Sequence, residues 1–203
     1  MITGLTPQTF ESLQLNAGAF LKNFDWKSYE DSDALETAIL GLLESRTGVV
    51  GATKGGGSFE ASPTTRQIEP DGMRAPFVGS TVNDMWTVKL KGTMMEVTPE
   101  NFKDALMCAE MESNAAGTRH ILKLRNEIRP EDYIKSFCWV GDTSKGLVLI
   151  ELKNALNVTG ASMTFTDKGE GTLPFEFQAH ASDLKDSEYA PCAIVFFDPP
   201  KGE

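Results

Sequence analysis

The chain has 203 residues, 40% of them hydrophobic and 24% charged, which is enough apolar material for one domain with a real core. Its net charge of -10 argues against a direct grip on nucleic acid, since phosphate neutralisation needs Lys and Arg. No run is long and apolar enough to span a membrane, no secretory signal opens the chain, and three scattered cysteines without a CxxC exclude a disulfide framework.

In chain order, residues 1–31 are irregular but carry apolar anchors, among them Phe20, Phe24 and Trp26. A free tail is poorer in aromatics, so this stretch reads as an arm lying on a surface, either of its own domain or of a neighbouring subunit. Residues 32–203 read as a single domain. Its first helix is expected over Asp33–Arg46, with Asp33 as cap, Glu36 completing a capping box and Gly48 as stop; Gly41 inside it suggests a close approach. A glycine cluster at 55–57 then interrupts the chain, and a strand polar on both faces is expected over 58–69. Residues 70–81 form a turn-rich loop opened by Pro70-Asp71-Gly72, so an extended hairpin with a large tip is expected.

The long stretch Val82–Ala109 organises the rest. Trp86, Val88, Leu90 and Met94 alternate with Thr87, Lys89, Lys91 and Thr93, the period of a half-buried strand. Thr98-Pro99-Glu100 then starts a helix with Phe102, Ala105, Leu106 and Ala109 as its apolar stripe. Glu110–Gly117 reads as a polar loop, and Thr118–Ile128 as a strand on which His120 sits with the core side. Tyr133–Val140 and Lys145–Leu152 are two more strands, the second apolar on both faces and therefore central. Ala161, Met163 and Phe165 alternate with Ser162, Thr164 and Thr166. After a turn, Leu173, Phe175, Phe177 and Ala179 alternate with Thr172, Glu176, Gln178 and His180, so a hairpin with a dry and a wet face is expected. Cys192–Phe197 is a last strand before Pro199-Pro200. About eight strands and two helices that do not alternate with them indicate a mainly β (α+β) fold, an antiparallel β-sandwich or barrel with a flanking α-helix.

No catalytic constellation emerges. In GATKGGGS, Lys54 precedes the glycine run instead of following it, unlike a Walker loop. The two histidines have no partners at metal-ligand spacing, Cys108 falls beside an apolar helix face, and no GxSxG occurs. The expectation is a non-enzymatic protein without metal or cofactor.

The run GATKGGGSFEASPTTRQIEPDGMRAPFVGSTVNDMWTVKL resembles bacteriophage tail tube (major tail) proteins. These show GATxGG, a strand, R-x-I-E-x-DG, a glycine-containing loop, and a strand entering a helix. Here the pieces are Gly51–Gly56, Arg66–Glu69, Asp71-Gly72, Gly79 and Val82–Ala109. Asn157–Asp183 and Leu15–Asp25 are similar to the same family. The resemblance implies a structural virion protein, the major tail tube subunit, whose hexameric rings stack into a hollow tube that conducts DNA without binding it specifically. It implies assembly in the bacterial host cytoplasm, residence in the virion tail, and tail completion, tape-measure and baseplate proteins as partners. On that reading Phe20, Phe24 and Trp26 anchor the arm on a neighbour, and Asp71, Gly72, Met73 and Arg74 touch the next ring. The wet face with Thr164, Glu176, Gln178 and His180, free of Lys and Arg, lines the lumen. The alternative is a carbohydrate-binding jelly roll or another β-sandwich binding module, which predicts exposed aromatics on the wet face of a strand pair; the expected hairpin 161–181 has none there.

Overall fold

The apolar run LVLIEL lies in the central strand of the fold. The computed structural model describes residues 16–163, 165 and 167–199. Among these, β1 (Ala19–Lys22), β2 (Thr53–Gln67), β3 (Thr81–Met94), β6 (Ile134–Thr143), β7 (Gly146–Asn157), β8 (Leu173–Gln178) and β9 (Cys192–Phe197) form a seven-stranded sheet in the order β1-β6-β7-β8-β3-β2, with β9 also on β7. Every pairing is antiparallel. One edge of β7 is shared. Leu147–Leu152 pairs with β9, and Leu156 and Asn157 pair with β8. At that change of partner the sheet turns back, so β8 and β3 cover β1 and β6. Phe20 of β1 meets Phe175 of β8 edge-on at 5.1 Å, and Phe137 of β6 meets Phe177 at 4.4 Å. The architecture is a mainly antiparallel β-sandwich with flanking helices, as the alternation of the sequence implies.

Two apolar clusters hold it. Phe20, Val88, Leu90, Phe137, Leu152, Leu173, Phe175 and Phe177 fill the space between the layers. Leu21, Leu35, Ile39, Cys138, Val140 and Leu149 lie on the other face of β1-β6-β7, beneath α1 (Ser32–Ser45). Successive residues of β6 therefore enter opposite clusters, which is why its apolar run does not alternate. Each fully buried large side chain contributes about 1.5–3 kcal/mol.

The helix ends follow local chemistry. In α1 the cap is Asp31, whose carboxylate accepts from the Ala34 N–H at 2.9 Å, and not Asp33, which lies inside the first turn. The helix ends with Arg46 in the left-handed region at φ 54°, and Gly41 faces open space instead of a close neighbour. In α2 (Pro99–Ala105) the Thr98 hydroxyl accepts from the Asn101 N–H at 3.1 Å. This helix stops at Ala105, short of the expected Ala109. Met107 turns the chain at φ 68°, and Ala109 opens β4 (Ala109–Ser113), which pairs with β5 (His120–Leu124) in a separate two-stranded sheet. Residues 110–117 thus contain a strand where a loop was expected. His120 is exposed on that hairpin, bonded to Ser113 at 2.7 Å, and is not a core histidine.

α2 caps one end of the sandwich through two buried amides. Asn101 donates to the Val50 carbonyl at 2.8 Å, and Asn157 donates to the Ala105 carbonyl at 2.6 Å. The glycine cluster does not interrupt β2 but forms a bulge in it. Gly55 and Gly56 have φ of 76° and 72°, and the register jumps from Thr53↔Met94 to Gly57↔Gly92. A Cβ on Gly57 would lie 2.6 Å from the Phe20 ring, and one on Gly92 2.6 Å from the Phe175 ring. These facing glycines make room for the two rings.

Candidate assembly surfaces

The β2–β3 hairpin outgrows the domain that supports it. β8 covers β3 only from Lys89 to Met94, with one further bond from the Ala179 N–H to the Val88 carbonyl. Beyond Val88, among the described residues, the two strands pair only with each other, through Pro63↔Trp86 and Thr65↔Asn83 to Gln67↔Thr81. Apolar side chains continue into this outer half. Met85, Trp86 and Ile68 are 58%, 43% and 49% exposed, and Phe77 and Val78 at the tip are 59% and 102% exposed.

The tip is ordered by its own backbone. Asp71 and Gly72 make a turn closed by the Met73 N–H on the Pro70 carbonyl at 3.1 Å, with Gly72 at φ 87°. Ser80 is buried and binds the Phe77 carbonyl through both its N–H and its hydroxyl. Asp71, Gly72 and Arg74 are exposed at this tip, and Met73 is half-buried. The sequence reading singled out these four but missed Phe77 and Val78. The available signal was two adjacent large apolar residues within a loop otherwise built of turn formers.

Among the described residues two further edges are open: β2 is the last strand of its layer, and β9 pairs only with β7. On β9, Ile194 and Phe196 are 51% and 72% exposed. An unpaired edge with apolar side chains is a template on which another chain can pair unless it is blunted or covered. Compared with known proteins, the chain matches no family model and, at a significant level, no curated protein.

The other residues singled out from sequence occupy different places from those expected. Phe20 and Phe24 are 1% and 8% exposed within this chain's own core. The Trp26 indole donates to the buried Glu151 carboxylate at 2.8 Å, and Ser136 donates to the other oxygen at 2.7 Å. These three aromatics therefore hold residues 19–26 on the chain's own sheet, which corrects the expectation that they anchor the arm on a neighbouring subunit. Residues 1–15 of the expected arm lie outside the described residues.

The expected lumen face is also corrected. Residues 161–163 form no strand, and Phe165, expected on a dry face, is 84% exposed. Thr164 lies outside the described residues. Glu176 stands opposite Lys91, and Gln178 opposite Lys89. Lys89 binds Glu176 at 2.6 Å, and Lys91 bridges Glu176 at 3.5 Å and Glu60 at 2.8 Å. The face expected to lack cations is the lysine face itself. The hydrogen bond from Lys89 is the main cause that holds the Glu176 carboxyl below its ordinary range. His180 is held elsewhere, its Nδ1 donating to the Asn154 carbonyl at 3.2 Å and its ring edge-on to Tyr133 at 5.3 Å.

Burial pushes the Cys138 thiol up to about 12. Among the described residues, no group of three or more His, Cys, Asp or Glu is placed to hold a metal ion. No helix there is long and apolar enough to cross a membrane.

Proposed function

We propose that this chain is a non-enzymatic structural subunit, the major tail tube protein of a tailed bacteriophage. In this reading six copies close a ring, and rings stack into a tube that resides in the virion tail after assembly in the host cytoplasm. DNA crosses the tube without specific binding, and tape-measure, completion and baseplate proteins meet its ends. The observation that carries the proposal is the β2–β3 hairpin, which extends beyond its own domain with Ile68, Phe77, Val78, Met85 and Trp86 uncovered. A monomer gains nothing from such a patch, whereas a neighbouring ring would bury it. The open edges of β2 and β9 supply lateral contacts between copies, and the motif order from Gly51 to Ala109 supports the same family.

The test is negative-stain microscopy and sedimentation of purified protein over a wide concentration range, beside Phe77→Ser/Val78→Ser. Tubes from the parent chain and dispersed rings or monomers from the variant are expected. A sharp monomer at every concentration would refute the proposal.

One observation favours a second reading, sugar binding. A groove of about 390 Å³ is lined by Trp86 and Tyr189 together with Asp84, Gln178 and Glu188. Aromatic faces with polar groups beside them suit a saccharide. Quenching of tryptophan fluorescence by oligosaccharides, lost in Trp86→Ala with assembly intact, would support it over the tube.

A further inference from the structure

β3 loses one neighbour halfway along its length. From Met94 to Lys89 it pairs with β8, and the Ala179 N–H adds a bond to the Val88 carbonyl at 2.9 Å. One residue later the chain changes partner. The His180 N–H donates to the Lys153 carbonyl of β7 at 2.9 Å, and the Asn154 amide donates to the His180 carbonyl at 3.1 Å. Among the described residues no strand takes the vacated place beside β3. A groove of about 390 Å³ lies there instead, lined by residues 83–87 of β3 and residues 187–191.

The backbone in this groove is poised for pairing. Consecutive residues of an antiparallel strand turn their N–H and C=O to opposite sides. Val88 turns its carbonyl toward β8, so Trp86 turns its N–H and C=O the same way, and among the described residues no strand receives them. Pro63, opposite Trp86, fits this register. In such a pair its nitrogen faces away from β3, where a missing N–H costs no ladder bond. Residues 83–87 span about 13 Å, the length of an extended segment of about five residues.

The side chains around the groove select the kind of segment. Trp86 and Tyr189 line it with exposed rings. Asp84 is held by Arg66 at 2.8 Å, whereas Glu188 joins no ion pair among the described residues. The loop that carries Glu188 also holds Asp183 and Asp186, with Lys185 as its one cation.

We propose that the open edge of β3 at Trp86 is a docking site for an extended, basic peptide segment of another protein, which joins the sheet as an added strand. Trp86 exchanges main-chain hydrogen bonds with the segment, Glu188 takes its lysine or arginine, and the two rings pack on its alternate side chains. A saccharide has no periodic row of amides to match the edge, so a peptide fits it better. The site rests on neither functional reading above, since the edge is open in the monomer.

The test uses the full chain, dilute enough to be monomeric, with the acetylated and amidated pentapeptide Val-Lys-Val-Lys-Val as probe. Fluorescence anisotropy of the labelled peptide should show saturable binding, and amide exchange at Trp86 should slow in the complex. Methylating the peptide's backbone nitrogens removes its donors but keeps its side chains, and should weaken binding about tenfold. Glu188→Lys in the protein, or Val-Glu-Val-Glu-Val as the peptide, should each abolish most of the binding. The methylated and acidic peptides leave the protein unaltered, so the proposal stays testable if the variant does not fold. No binding, or equal affinity for the parent, methylated and acidic peptides, would overturn it. Slower Trp86 exchange with an oligosaccharide but not with the peptide would overturn it in favour of sugar binding. Slower exchange on concentrating the protein, with no effect of peptide, would also overturn it and assign the edge to a second copy.

Discussion

Replacing Phe20 with alanine separates a core residue from an arm contact. The ring is 1% exposed, lies 5.8 Å from Phe137 in a stacked arrangement and 5.1 Å from Phe175 edge-on. Removing a buried phenylalanine costs about 3–5 kcal/mol. The expected loss is therefore about 3–5 kcal/mol, and in a chain of this size that is about 6–20 °C in Tm. Thermal and urea unfolding of dilute monomer, followed by circular dichroism, measure it. Adding Phe175→Ala should reveal a coupling of about 0.5–1.5 kcal/mol from the edge-on pair. A loss below about 1 kcal/mol, accompanied by abolished assembly, would refute the reasoning and return Phe20 to an intersubunit role.

Three further outcomes are expected. Asn157→Ala leaves the Ala105 carbonyl and the Glu176 N–H without their buried partner and should cost about 2–3 kcal/mol, with faster amide exchange in α2; unchanged exchange would show that α2 is held otherwise. Glu176 has its carboxyl held below its ordinary value of 4.5, so its stabilisation is present above that pH and is lost as pH falls through the lowered folded-state value. Urea midpoints of Glu176→Gln and parent should accordingly differ at pH 7 and converge below pH 4.5, and parallel curves would count against the Lys89 pairing. Cys138, with its thiol raised to about 12, should resist iodoacetamide at pH 8 in the native protein, and alkylation as fast as at Cys108 would contradict its burial.

Much of the fold was legible because its signals are local. Thr98-Pro99-Glu100 caps α2 through atoms three residues apart, and the apolar run of β7 reports burial on both faces. At the described positions 161–163 and 165 the alternation misled because a strand also needs a free edge. The tail of β7 already occupies β8, through Leu156, Asn157 and the Val158 N–H on the Glu176 carbonyl, while β3 holds the opposite edge. The wet face failed for a related reason. Nothing in the sequence near Glu176 reveals Lys89 and Lys91, which reach it across 87 and 85 residues by sheet register alone. Phe20 looked like part of an arm because β1 is only four residues long, too short to show a period. At the candidate surface, the hairpin and its turn were readable, but exposure at Phe77 and Val78 depends on where β8 leaves β3.

The partner-switching of β7 has a consequence for how the chain emerges during synthesis. β6 and β7 meet across the tight connection from Thr143 to Gly146 and need no distant segment to pair. Every other strand of the large sheet except β2 and β3 waits on them or on β8. Translation releases N-terminal segments first, so the whole β2–β3 ribbon is outside the ribosome before β6 exists. A long ribbon waiting with both borders open is a hazard for premature pairing between nascent chains. Its middle carries Glu60, Pro63, Lys89 and Lys91, a proline and charges that discourage such pairing until β8 arrives. The polar character of this ribbon thus protects the nascent chain before it contributes to the finished fold.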